Sequence, residues 1–196
     1  MEYDSRKKLT NNIELFGLPG VGKSYCINKI AVKYKKKVNK IEKAFNFNKV
    51  KNIFIGLTKV RLYMVIVMLF KSQFNVGAMK LTLVFLERIG RSYNNQNSIF
   101  DEGIMQALWG YFFRIGYNEY IMDLALKKNI ISLNQVLYVH SNKVSHQKNL
   151  HKREIGNFNF YDDNKYKKAR NIMKSIVCKI RKYKINLYKN EVINAK

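Results

Sequence analysis

Gly17-Leu18-Pro19-Gly20-Val21-Gly22-Lys23-Ser24 fills every fixed position of the pattern G-x-x-x-x-G-K-[ST], and the fold is read outward from it. Ahead of it, Asn12-Ile13-Glu14-Leu15-Phe16 is a short run of alternating apolar character. After it, Ile27, Ile30 and Ala31 recur at helical spacing. A strand, a glycine-rich turn and a helix in that order make a phosphate-binding loop. The glycines let consecutive backbone N–H groups curl toward phosphate oxygens, and the helix that starts near Gly22 adds its positive end. The loop predicts binding of a nucleoside triphosphate. Its expected contacts run from Gly17, Leu18, Pro19, Gly20, Val21 and Gly22 through Lys23, Ser24 and Tyr25. Lys23 is expected at the β- and γ-phosphates and the Ser24 hydroxyl at Mg²⁺. Pro19, the only proline in the chain, stiffens the turn.

A second nucleotide motif lies at Ser98-Ile99-Phe100-Asp101-Glu102-Gly103, its Asp101 78 residues beyond Lys23. A short apolar strand ending in Asp delivers a carboxylate to the edge of the sheet beside the phosphate loop, as in a Walker B strand. Asp101 is therefore the second expected Mg²⁺ position. Glu102 is expected either to polarise an attacking group or to pair with a lysine.

Between the two motifs the pattern turns helical. Val50, Ile53, Phe54, Leu57, Val60 and Met64 follow the i, i+3, i+4, i+7 rule, with a joint expected around Gly56 and Thr58. Leu62–Phe70 (LYMVIVMLF) is expected to be a buried helix, being about half the ~20 residues that a bilayer span needs. Met79–Ile89 is a third helix, expected to end at Gly90 or at Asn94-Asn95. Past Gly103 come a helix over 104–115, with Trp109 expected in the core, and another over 119–128. A strand at Gln135–Val139 follows, then a polar helix over 144–152. A basic loop over about 152–162 contains Arg153, and a long amphipathic helix over 162–183 precedes an edge strand near Ile185–Tyr188. Val38 carries weak strand character. These elements form one α/β domain over residues 1–196, a three-layer P-loop fold with a mostly parallel central sheet and a large helical insertion over 45–95.

The chain has 196 residues, 47% of them hydrophobic, which suits a folded domain with a real core. Lys and Arg total 37 against 13 acidic residues, a net charge of +24, and only eight of the basic residues are Arg. Such a surface permits nucleic acid or an anionic membrane as a partner without requiring either. Cys26 and Cys178 have neither metal nor disulfide spacing, and His140, His146 and His151 are too scattered for a metal site. The first residues lack the apolar core of a signal peptide, so the expected compartment is the cytosol.

Strand, GLPGVGKS, helix, helical region, IFDEG, helices, VLYV, helix, basic loop, helix: this order resembles the P-loop nucleotide kinase group, of the thymidylate kinase and adenylate kinase kind. The resemblance implies ATP and Mg²⁺ as cofactors and phosphoryl transfer to a small acceptor held by the helical insertion. It places Lys23 and Ser24 at the phosphate and metal positions and Asp101 at the strand-end acid. Arg153 stands at a lid arginine by place only. Where thymidylate kinases carry an acidic residue in the loop this chain has Pro19, and where they follow the strand-end Asp with Arg it has Glu102. Ser24 stands where adenylate kinases usually have a small Gly.

The leading functional expectation is thus a kinase acting on a nucleotide, a nucleoside or a sugar-nucleotide-like acceptor, with Arg61, Arg88, Arg91 and Arg114 available to clamp its anion. A P-loop ATPase or nucleotide switch working on a macromolecular partner is the alternative, with Glu102 orienting water. A nucleotide-binding module with a basic surface for RNA or lipid is the third.

Overall fold

In the computed structural model the described residues are 12–39, 46–60, 62–127, 134–140, 163–182 and 187–191. The expected helix over 144–152, the basic loop with Arg153, and Arg61 lie outside them.

Among the described residues, five strands make one sheet: β1 (Asn12–Phe16), β2 (Lys37–Asn39), β3 (Ser98–Phe100), β4 (Asn134–His140) and β5 (Leu187–Glu191). Their order is β2-β3-β1-β4-β5, and every pairing is parallel. β1 is the central strand, with Ile13 opposite Ile99 on one side and Gln135 on the other. All five of its residues are buried. Successive side chains of a strand point to opposite faces, so unbroken burial means both faces of the sheet are covered there. The α/β P-loop fold expected from the sequence is the fold observed. The chain leaves β1 outward to β2, returns inside it as β3, and later passes to the far side as β4. That reversal puts a crevice at the C-terminal ends of β1 and its neighbours.

Helix α1 (Lys23–Tyr34) follows β1. The insertion contains α2 (Phe47–Lys59), α3 (Leu62–Lys71) and α4 (Val76–Asn94), with no strand among the described residues of that stretch. Next come α5 (Ile104–Ile115), α6 (Glu119–Lys127) and α7 (Asp163–Lys182). The core centres on α5, where Trp109 is buried and its indole N–H donates to the Ala169 carbonyl of α7 at 3.2 Å.

Three details of the insertion correct the sequence reading. The joint between α2 and α3 falls at Val60, not at Gly56 and Thr58, because Gly56 sits inside α2 against the α4 backbone. A Cβ at position 56 would lie 2.0 Å from the Leu86 carbonyl oxygen, and one at Gly90 would lie 1.9 Å from that of Asn52. The two helices therefore cross antiparallel, backbone against backbone, at two reciprocal glycines. For the same reason Gly90 does not end α4; it is a contact residue inside a helix that runs on to Asn94. Helix α3, expected to be buried, is so on one side only. Met64, Val65 and Met68 face inward, while Leu62, Ile66 and Phe70 form an exposed stripe, Phe70 being 67% exposed. Its nine uncharged residues misled because an apolar run reports composition and not how many neighbours are present to cover it. Among the described residues, no single helix is long and apolar enough to cross a membrane.

Candidate functional site

The turn after β1 is shaped by two glycines in the left-handed region, Gly20 (φ 85°) and Gly22 (φ 90°), which side-chain-bearing residues rarely adopt. Gly17 is required for a different reason. A Cβ there would stand 2.5 Å from the Val139 carbonyl oxygen of β4. Gly22 caps α1 without a side chain, and the first turn of α1 carries no acidic residue. The positive end of the helix dipole is thus not neutralised by its own sequence. Leu18 and Val21 bury their side chains in the core, so they offer a ligand only their backbone. Tyr25 is half exposed, with the Lys29 ammonium 4.5 Å from its ring centre.

The Lys23 ammonium curls back over this turn, donating to the Gly17 carbonyl at 2.7 Å and the Leu18 carbonyl at 3.2 Å. A cavity of about 230 Å³ opens beside it, lined by Pro19, Gly20, Lys23, Ser24, Asp101, Glu102 and Gln106. The two sequence motifs are therefore brought to one place. Asp101 comes directly off β3, and its Oδ1 is buried without a hydrogen-bond partner. A buried carboxylate oxygen left unmatched costs about 1–3 kcal/mol, more when charged, unless something supplies the missing charge or donor. With the Ser24 hydroxyl lining the same cavity, the donor set is hard oxygen, which suits Mg²⁺. The residues present fit the metal and a triphosphate.

Sequence reasoning passed over Glu14. It lies in the middle of β1, 1% exposed, and its carboxylate accepts from the backbone N–H groups of Ile104 (2.9 Å), Met105 (2.5 Å) and Gln106 (3.2 Å). An acid buried in the sheet thus plugs the N-terminal turn of α5, where the helix dipole favours a negative charge. Gly103 makes room for it, since a Cβ there would meet the carboxylate carbon at 2.3 Å. The signal was available: a charged residue inside an otherwise apolar central strand needs a partner. Gln106 was missed as well. Its Oε1 lies 3.5 Å from the Gly17 amide nitrogen, linking α5 to the start of the loop.

Of the candidate arginines, Arg88 is buried in an ion pair with Glu87, and Arg114 lies exposed against Gly77 at the far end of α4. Arg91 is the informative one. It is 5% exposed, donates to the Glu102 carbonyl, and lies over the Phe100 ring with its Cζ 5.0 Å from the centroid. Burial, with help from Arg88, pushes its guanidinium down to about 10; Glu87, Asp101 and Glu14 oppose that shift. Its Nε is buried with no partner. Arg91 also lines a second cleft of about 360 Å³, between the end of β2, α2 and α4. Cys26, by contrast, is packed into the core, and burial raises its thiol pKa, so it has the character of an inert residue.

No protein-family model matches the chain, and no curated protein matches it. Among solved structures, the fold is similar to that of deoxyadenosine kinase from M. mycoides with the products dCMP and a flexible dCDP bound. That likeness has a TM-score of 0.52 at 14% identity and covers 91% of this chain and 88% of the other. It is likewise similar to deoxyadenosine kinase from M. mycoides with bound dATP, at a TM-score of 0.51 and 16% identity, covering 92% of this chain and 90% of the other.

Proposed function

We propose that this chain is an ATP- and Mg²⁺-dependent kinase that transfers a phosphoryl group to a small, anionic acceptor. The observation that carries the reading is the buried, unpartnered Asp101 Oδ1 in the same cavity as Lys23 and Ser24. The likeness in fold to a deoxyadenosine kinase supports the same class of reaction.

In this reading the loop amides and the open end of α1 hold the β- and γ-phosphates. The Lys23 ammonium exchanges the Gly17 and Leu18 carbonyls for phosphate oxygens, and an ammonium held beside the transferred group offsets charge that builds up there. Ser24 and Asp101 would hold Mg²⁺, which neutralises the phosphate oxygens when bound. Glu14 fixes α5 and with it Gln106, so the wall of the cavity opposite the loop stays in place. Arg153 belongs to the proposal as a lid residue, and the helices over 46–94 as the acceptor side.

The test is an ATP-consumption screen over nucleosides, nucleoside monophosphates, sugar phosphates and sugar nucleotides. One acceptor class should raise turnover well above the basal rate. A chain that hydrolyses ATP equally fast with no acceptor, and loses that in Glu102→Gln, is the ATPase of the alternative reading. Glu102 lines the cavity with an exposed side chain, which is what keeps that alternative specific.

A further inference from the structure

The cleft between β2, α2 and α4 is lined by carboxamides and charges. Asn39 comes from the end of β2, Asn48 and Asn52 from α2, and Asn94 and Asn95 from the end of α4. Lys49, Lys51 and Arg91 supply positive charge, and Glu87, already paired with Arg88, the single negative one. Among the described residues no aromatic or aliphatic side chain lines it. A nucleobase site needs an apolar face or a ring to stack on, because most of a base's surface is flat and only its edge forms hydrogen bonds. This lining has no such platform.

From this lining we infer that the cleft binds a polyhydroxylated, phosphate-bearing acceptor, a sugar phosphate, and not a nucleoside. The inference rests on the kinase reading above and names its acceptor. A carboxamide both donates and accepts, which suits adjacent hydroxyls, each of which does the same. Asn94 and Asn52 already hold one another in place, Nδ2 to Oδ1 at 2.6 Å, so this part of the lining is fixed before a ligand arrives. The phosphate of the acceptor meets Lys49 and Lys51, with Arg91 in the same lining adding positive charge. At about 360 Å³ the cleft is near the lower end of ordinary ligand pockets, adequate for a hexose phosphate. Arg91 also touches Glu102 at the rim of the phosphate cavity, so one side chain joins the acceptor cleft to the donor site. The preset Asn52–Asn94 pair and the contact of Arg91 with the Glu102 carbonyl set this cleft apart from an ordinary polar surface groove.

The test is calorimetric titration of the full chain, without nucleotide, using a panel of hexose and pentose phosphates, deoxyadenosine, dAMP and inorganic phosphate. At least one sugar phosphate should bind saturably. The double variant Asn48→Leu/Lys51→Glu, altered at two exposed positions of α2, should weaken that binding ten-fold or more. Lys80→Glu, the same charge change elsewhere on the surface, should not. Tighter binding of deoxyadenosine or dAMP, lost in the same double variant, would overturn the inference. So would inorganic phosphate binding as tightly as any sugar phosphate, or no binding by any member of the panel. Because no ATP is present, sugar-phosphate binding by a chain that then consumes no ATP would sink the kinase reading while leaving the cleft assignment standing.

Discussion

The phosphate loop and the α2–α4 crossing are both built on glycine, for opposite reasons. In the loop, Gly20 and Gly22 are needed for what the backbone does, turning through φ values near +90°. At the crossing, Gly56 and Gly90 sit in ordinary helical conformation and are needed for what is missing, since any Cβ would enter a neighbouring carbonyl. The loop uses its glycines to shape a turn, the crossing to hold a frame. A substitution in one region should therefore alter chemistry and in the other stability, and each can be pushed until that separation fails.

The largest effect is expected at Lys23→Ala. Nucleotide-dependent turnover should fall about 10³-fold, the scale of losing one preorganised charge contact, with the urea midpoint scarcely moved. If the variant unfolds instead, the loop is part of the frame and the contrast collapses. Next comes Gly90→Ala, expected to cost about 3 kcal/mol in urea denaturation, because a backbone carbonyl cannot step aside as a side-chain tip can. Gly110→Ala in α5 is its control: the added Cβ would lie 3.7 Å from Leu81 Cδ2, ordinary contact, and should be neutral or stabilising by up to about 1 kcal/mol. Equal losses at the two positions would show that helix entropy, and not the crossing, is being measured.

Glu14→Gln keeps the size of the side chain and removes its charge from the first turn of α5. It should cost about 2 kcal/mol in the same assay and sharpen the comparison by showing a frame residue within reach of the site. Asp101→Asn should raise the Mg²⁺ concentration for half-maximal activity about ten-fold, read from a metal titration. The smallest effect is Asn46→Ala. Its side chain accepts from the Lys49 N–H at 3.0 Å at the start of α2, and losing that cap should cost about 1 kcal/mol.

The loop was legible because its requirements are local. Eight consecutive residues carry the glycine positions, the lysine and the hydroxyl, and the strand before and helix after them begin where the pattern says. Asp101 was legible for a related reason, an acid directly after a short apolar strand. Glu14 shows in the sequence only as a charge that needs a partner; its partners are amides some ninety residues away, and no spacing rule reaches that far. Gly56 and Gly90 were misread because glycine disfavours helix by about 1 kcal/mol, so a local rule places helix ends where packing in fact required helix contacts. The exposed side of α3 was misread for the converse reason: its apolar residues satisfy a helical pattern, and the pattern is silent about which face finds a neighbour.

The glycine crossing also bears on how such a protein can change over generations. With Asn52 held under Gly90, α2 cannot slide or tilt against α4 without a backbone clash, so the outline of the cleft is inherited as a unit. Asn48 and Lys51 project from exposed positions of α2, on the outer side of that fixed outline, where replacements cost little folding energy. Replacements at those two positions would therefore change the chemistry of the cleft wall while leaving the α2–α4 frame and the phosphate cavity as they are.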